Sequence, residues 1–289
     1  MRSQRRYPRS STGRTVRGFG LIELMVAVVI SLMVVLAISS LFLVQKRSYA
    51  TQDDFSRMQE SARTMTETLS HALRNAGYWD AELLTTFGTD PILDGANGSG
   101  SGVAASDSLT VRFYGSSAKP DDPAVQMADW GPDGSVVDCQ GNPRKHDELV
   151  TETFSIQTGK PGDELDRPWL VCVLAAGNDA DKQWLFADVD SMQLLYGEDT
   201  DGDGSINRLR PAGTVNMNNV KSVMLSFVMR TPTANHPTAA NTVFNHFGSA
   251  YAPENVAPGD DVGSVFVPAD DQRMRRQFAF SIGVRNRLN

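Results

Sequence analysis

The longest feature of the hydropathy pattern is an almost unbroken apolar run from Phe19 to Val44, FGLIELMVAVVISLMVVLAISSLFLV, interrupted by one ionisable side chain, Glu23. As a helix rising about 1.5 Å per residue it extends roughly 39 Å, more than the ~30 Å of a hydrocarbon core. After Val44 the pattern changes period. Met58, Ala62, Met65, Leu69, Ala72 and Ala76 recur at spacings of four and three, one stripe of an amphipathic helix made for packing on a sheet. Gly77 supplies the stop, so a single helix over residues 19 to 76 is expected.

Strand-like segments follow: Leu109 to Tyr114, Leu149 to Ile156, Trp169 to Leu174, Trp184 to Tyr196 with a break, Val220 to Met229, and Phe278 to Val284. In the last, Phe278, Phe280, Ile282 and Val284 alternate with small or polar residues, as in a half-buried antiparallel strand. A helix first and strands afterwards predict an α+β fold, a long N-terminal helix packed on an antiparallel β-sheet with long loops. Two stretches read as irregular. Gly88 to Asp107 contains GANGSGSG and is expected to be a flexible linker, and Arg230 to Gln272, rich in Pro, Ala, Asn and Asp, reads as a surface excursion or a binding loop.

Composition adds one asymmetry. The formal net charge is −7, yet six arginines and no acidic residue precede Phe19, so the body beyond them is six units more negative than the whole. A body so acidic repels nucleic acid, which is not expected as a partner. The arginines instead orient the apolar helix, keeping its N-terminal side cytoplasmic and placing the chain after Val44 on the far side of the membrane. Only two cysteines occur, Cys139 and Cys172, in no zinc-like spacing. Outside the cytoplasm a disulfide between them would close a loop of about 33 residues and contribute roughly 3 to 4 kcal/mol in the chain-entropy model; two unpaired thiols are the alternative.

Glu23 is the informative residue of the apolar run. A lone carboxylate in hydrocarbon costs about 2.5 to 3.5 kcal/mol on insertion scales and so marks a partner or a function. A secretory signal peptide is disfavoured by the length of the run, although Ala37-Ile38-Ser39 imitates a cleavage site. A plain anchor gives no reason for the carboxylate.

The motif R-G-F-G-L-I-E-L, Arg17 to Leu24, resembles the type IV prepilin signature: a basic leader, a glycine, an aromatic residue and a glutamate four residues on. The resemblance implies cleavage by a prepilin peptidase after Gly18, methylation of the new amino group on Phe19, and pairing of Glu23 with the first amino group of a neighbouring subunit. Three further segments resemble PilW-type minor pilins: L-R-N-A-G-Y at Leu73 to Tyr78, D-T-D-G-D-G at Asp199 to Gly204, and R-N-R-L at Arg285 to Leu288. Trp79 departs from the pattern, standing where many relatives carry a small residue or cysteine, which leaves the disulfide pattern open.

The implied organisation is a removed leader over 1–18, a membrane and filament-core helix over 19–44, its amphipathic continuation over 45–77, and a periplasmic or extracellular β-rich domain over 78–289. The implied role is a non-enzymatic minor pilin that helps assemble a type IV pilus in a priming or tip complex. Its partners would be other major and minor pilins, the prepilin peptidase and the pilus assembly platform. It would start in the inner membrane as a single-pass protein and end in the pilus at the cell surface. A type II secretion pseudopilin shares the leader and Glu23; a reading of another class is a membrane-anchored calcium-dependent binding domain.

That last reading rests on Asp199, Asp201, Asp203, Ser205 and Asn207, oxygen donors at alternate positions with Gly204 sixth, like the first nine positions of an EF-hand loop. The twelfth position is Arg210 where a bidentate glutamate belongs, so a Ca²⁺ site here needs outside ligands, with Glu198, Asp190 and Asp188 nearest in sequence. An ordinary acidic turn is the alternative. No G-x-S-x-G, H-E-x-x-H or Walker pattern occurs, and His71, His146, His236 and His246 are widely separated. Cys139 and His146 make a weak nucleophile–base pair, because exported cysteines oxidise.

Overall fold

The computed structural model describes residues 18, 20–83, 87–88, 90–100, 102–122, 124–174, 182–234 and 242–285. Its single long helix, α1, runs Leu21–Asn75. The chain divides into two units, one ending at Gln52 and one beginning at Asp53.

In the first unit the apolar side chains from Leu21 to Val44 are exposed. Within this stretch Ser31 Oγ donates to the Ala27 carbonyl and Ser40 Oγ to the Ala37 carbonyl, both at 2.8 Å. Polar groups satisfied inside the segment suit a helix surrounded by lipid.

In the second unit Met58, Ala62, Met65, Leu69, Ala72 and Ala76, the stripe predicted from spacing, are all buried in one hydrophobic cluster. The helix stops as expected at Gly77, whose φ of +72° only glycine adopts without strain. A Cβ there would also meet Ile92 Cδ1 at 2.7 Å.

Two antiparallel sheets complete the core. The first has five strands in sequential order: β1 (Leu93–Ala96), β2 (Ser108–Tyr114), β3 (Leu149–Gln157), β4 (Trp169–Leu174) and β5 (Lys182–Ala187). The second joins β6 (Val189–Glu198), β7 (Arg208–Arg210), β8 (Val220–Arg230) and β11 (Arg275–Gly283) in the order β11-β8-β6-β7. The predicted break between Trp184 and Tyr196 falls at Asp188, where the chain leaves one sheet for the other at φ +62°. Aspartate tolerates that region better than most residues, and its carboxylate there faces Arg167 Nη1 at 3.5 Å and Arg230 Nε at 3.3 Å.

β6 is buried along all ten residues. Met192, Leu194 and Tyr196 point into the hydrophobic cluster, whereas Ser191 and Gln193 face a polar layer on the other side.

Both stretches read as irregular contain ordered structure. Gly88 to Asp107 is not simply a flexible linker: it carries β1 and a short 3-10 turn at Gly102–Ala105. The Asp107 carboxylate ties it down, accepting from the Gly98 N–H at 2.9 Å and the Leu194 N–H at 2.8 Å. Glycine serves close approach here, since a Cβ on Gly98 would collide with the backbone of Ala105. Within Arg230 to Gln272 the short strands β9 (Phe244–Asn245) and β10 (Val265–Phe266) pair antiparallel, and His246, Ala252, Asp261 and Ser264 are buried. The sequence-predicted His236 lies outside the described residues.

Candidate functional site

The N-terminal determinants stand at the start of α1. Gly18 and Gly20 are exposed, and the Gly20 carbonyl accepts from the Glu23 and Leu24 N–H groups at 3.0 and 3.1 Å, closing the first turn. Glu23 therefore lies in the first turn, where the helix dipole favours a negative charge, and it has no ion-pair partner among the described residues. Phe19 and the leader up to Arg17 lie outside the described residues, as does the end of the R-N-R-L segment beyond Arg285.

Cys139 and Cys172 form a disulfide, with Cα atoms 6.5 Å apart. Cys172 is buried on β4, and Cys139 sits half-buried in a turn closed by the Gly141 N–H to Asp138 carbonyl bond at 2.8 Å. Arg144 pairs with the buried Asp138 carboxylate and holds that turn. Cys139 and His146 form no nucleophile–base pair: the cysteine is oxidised, and His146 is buried with Nδ1 3.0 Å from Ser117 Oγ.

The acidic loop joins β6 to β7. Carboxylate oxygens of Asp199, Asp201 and Asp203 lie within 4.8 Å of one another. Gly202 and Gly204, at φ +78° and +89°, let the chain coil tightly enough for their N–H groups to reach Asp199 at 2.7 and 3.0 Å. Burial alone would raise the Asp199 carboxyl, yet those two N–H donors bring it below its usual range. Asn207 departs from the EF-hand pattern, its side chain being engaged within the loop, while Ser205 stands where that pattern uses a backbone carbonyl. Ser205 offers its N–H to Asp203 at 2.7 Å, while Asn207 Oδ1 accepts from the Thr200 N–H at 2.6 Å and its Nδ2 donates to Asp201 at 3.2 Å.

The outside carboxylates suggested by sequence are engaged elsewhere. Glu198 binds Arg208 at 2.8 Å and the Asn216 N–H at 3.1 Å; Asp190 binds Arg275 at 2.6 Å; Asp188 faces Arg167 and Arg230. The physical reason is that each sits at or beside a sheet strand, where arginines compensate its charge.

Two buried polar groupings escaped the sequence reading. His246 bridges the second sheet, Nε2 3.0 Å from Ser191 Oγ on β6 and Nδ1 2.9 Å from Ser226 Oγ on β8. Gln277 on β11 donates to Ser226 Oγ at 3.1 Å and to the His246 carbonyl at 2.8 Å. Burial drives the His246 pKa down to about 3, so the imidazole is neutral and acts as a structural crosspiece. The second is Glu152 on β3, 2% exposed, with one carboxylate oxygen accepting the Cys139 N–H at 2.6 Å. Burial raises it to about 7, against the pull of that N–H; Asp138 adds to the rise and Arg144 opposes it. A signal for it existed in the sequence. Val150, Glu152, Phe154 and Ile156 are the inward positions of one strand, and a carboxylate among them breaks the pattern.

Residues 153–286 match the family model described as Type IV Pilus-assembly protein W. The PilW-type resemblance drawn from short motifs is thus met by a match covering β4 to β11 and part of β3. Among solved structures, a type IV-like pilin from Thermus thermophilus is similar at 12% identity and a TM-score of 0.45, covering 80% of this chain and 97% of the other. No curated protein matches the sequence.

Proposed function

We propose that this chain, which carries the type IV pilus-assembly protein W pattern over residues 153–286, is a minor pilin. It would be anchored in the inner membrane by α1 before assembly and would then join other pilins in a priming or tip complex. The observation that carries the reading is the single carboxylate of the apolar helix, Glu23, in its first turn with no ion-pair partner among the described residues. A free amino group on Phe19 of a neighbouring subunit, produced by cleavage after Gly18, is the counter-charge that assembly would supply. Glu23→Ala is expected to leave cleavage and membrane insertion unchanged while reducing incorporation into sheared filaments by roughly tenfold or more, the equivalent of losing about 1.4 kcal/mol or more of a buried charge pair. Immunoblots of the filament and membrane fractions measure it, and normal incorporation would remove the charge-pairing step.

The aspartate triad supports a second element of the proposal, a Ca²⁺ bound at the β6–β7 loop. Three carboxylates within 4.8 Å repel one another unless neutralised, and hard oxygen donors suit calcium. With the Asn207 side chain engaged by Thr200 and Asp201, water would complete the coordination and affinity would be modest. Chelation with EGTA is expected to lower the thermal midpoint of the β-rich unit by a few degrees, in line with loss of about 1 to 3 kcal/mol of linked binding energy. Equal midpoints in calcium and in chelator would leave the loop as an acidic turn.

A further inference from the structure

Beside the disulfide, the helix and the Val136–Asn142 turn bound a groove of about 450 Å³ whose surface is mostly apolar. Ala72, Val137 and Phe154 provide apolar walls, and Glu152 lies at the base. Only one of its carboxylate oxygens is used, by the Cys139 N–H, and the other meets no protein donor among the described residues. Glu67 pairs with Arg63 at 3.1 Å and Asp138 with Arg144, so Glu152 is the lining carboxylate without an ion-pair partner among the described residues, and no lysine or arginine lines the groove.

A nearly fully buried carboxylate with an unused oxygen is costly unless a cation or donor reaches it. The apolar walls select the shape of that cation. An unbranched alkyl stem can lie along Ala72, Val137 and Phe154 with its charged end at Glu152, the disposition by which lysine buries its methylenes. One free oxygen suits a compact ammonium; a guanidinium would seek two.

We propose that this groove binds an alkylammonium group, the side chain of a lysine presented by a neighbouring subunit. The identity of that occupant rests on the pilin reading; the chemistry of the groove does not. Charge complementarity carries the choice, because Glu152 is the lining carboxylate without an ion-pair partner among the described residues, and the rest of the lining, Thr64, Thr68, His71 and Asn75 beside the apolar walls, brings no lysine or arginine.

Ionisation of Glu152 gates the interaction. The groups around it are Glu67 and His71 from α1, and Asp138 with its partner Arg144 from the turn. With a pKa raised to about 7, Glu152 is largely ionised near pH 8 and largely protonated near pH 5.5, so ammonium binding strengthens on the order of tenfold between the two.

The test is a titration of the full chain in detergent micelles with butylammonium, followed by amide NMR. Saturable shifts at Thr68, Ala72, Cys139 and Glu152 are expected near pH 8, weaker by about tenfold near pH 5.5. They should be absent with the neutral isostere butanol and absent in Glu152→Gln. No saturable shift, or equal shifts with butanol or equal shifts at both pH values, would overturn the site even if the Gln variant fails to fold. The occupant is read separately by a photo-crosslinker at Thr68 in cells assembling filaments. A cross-link to a lysine-bearing peptide of a pilus subunit is the expected product. Butylammonium binding with cross-links only to lipid or to non-pilus protein would overturn the occupant while the Glu23 filament assay still judges the pilin reading.

Discussion

Phe227→Ala is expected to destabilise the β-rich unit by about 3 to 5 kcal/mol, among the largest effects of any single truncation in this chain. Phe227 is fully buried at the middle of β8, the strand that pairs with both β6 and β11. Its ring stacks on Phe278 at 5.5 Å between centroids and meets Phe280 edge-on at 6.0 Å, both on β11. On the other side its register partner is Met192 of β6. Removing the ring therefore opens a cavity bordered by three strands whose backbones are fixed by ladder bonds and cannot close over it. For a unit of this size the midpoint should fall by roughly 2 to 4 °C per kcal/mol, read by near-ultraviolet circular dichroism. A loss under about 1 kcal/mol would mean that the three aromatic rings do not form one packed centre.

Replacing both cysteines by alanine ranks second. The bridge joins positions 33 apart, and the loop-entropy model gives about 3 to 4 kcal/mol for a closure of that length. The structure adds a local reason for a large effect. Cys172 lies within the first sheet, whereas Cys139 belongs to a turn held otherwise by Arg144 and Asp138 and by the N–H bond from Cys139 to Glu152. Without the bridge the turn has less to hold it against β3, and the Cys139 N–H no longer reliably compensates the buried Glu152. Urea unfolding of the oxidised chain and of the double alanine variant measures the difference; midpoints that coincide would reduce the bridge to a passive link.

Much of the fold was legible because its largest elements are also its most periodic. The helical stripe from Met58 to Ala76 contains residues one and two turns apart, and that spacing alone identified the face that meets the sheets. Trp169–Leu174 was readable as a strand because a short apolar run of β-formers between polar stretches suits a strand covered on both faces. The short strands gave no such signal. β9 and β10 have two residues each, too few to show a period, and the order around them comes from His246 finding a buried partner far away in sequence, Ser191, with Asp261 held locally by Tyr251 and Ser264. The glycine-rich segment before β2 misled for a related reason. Composition equates glycine with looseness, but Gly98 is held because its missing side chain admits a neighbouring backbone that Asp107 then fixes.

The candidate sites divide along the same line. Glu23 could be singled out because a charge in an apolar run is conspicuous in one dimension. The aspartate triad was also local, and its three carboxylates do converge, but the role expected of Asn207 depended on a loop geometry in which Thr200 and Asp201 engage its side chain. Glu152 becomes meaningful only when β3, the Cys139 turn and the helix are brought together, a juxtaposition across more than sixty residues that periodicity cannot report.

The proposed pilin role requires that α1 be made behind a leader and released from it. Co-expression of the full chain with a prepilin peptidase, followed by mass spectrometry of its N-terminal peptide, tests this most directly. The expected product has lost 18 residues and begins at Phe19 with a methylated amino group. A chain that keeps its arginine-rich head intact in the presence of active peptidase would contradict it.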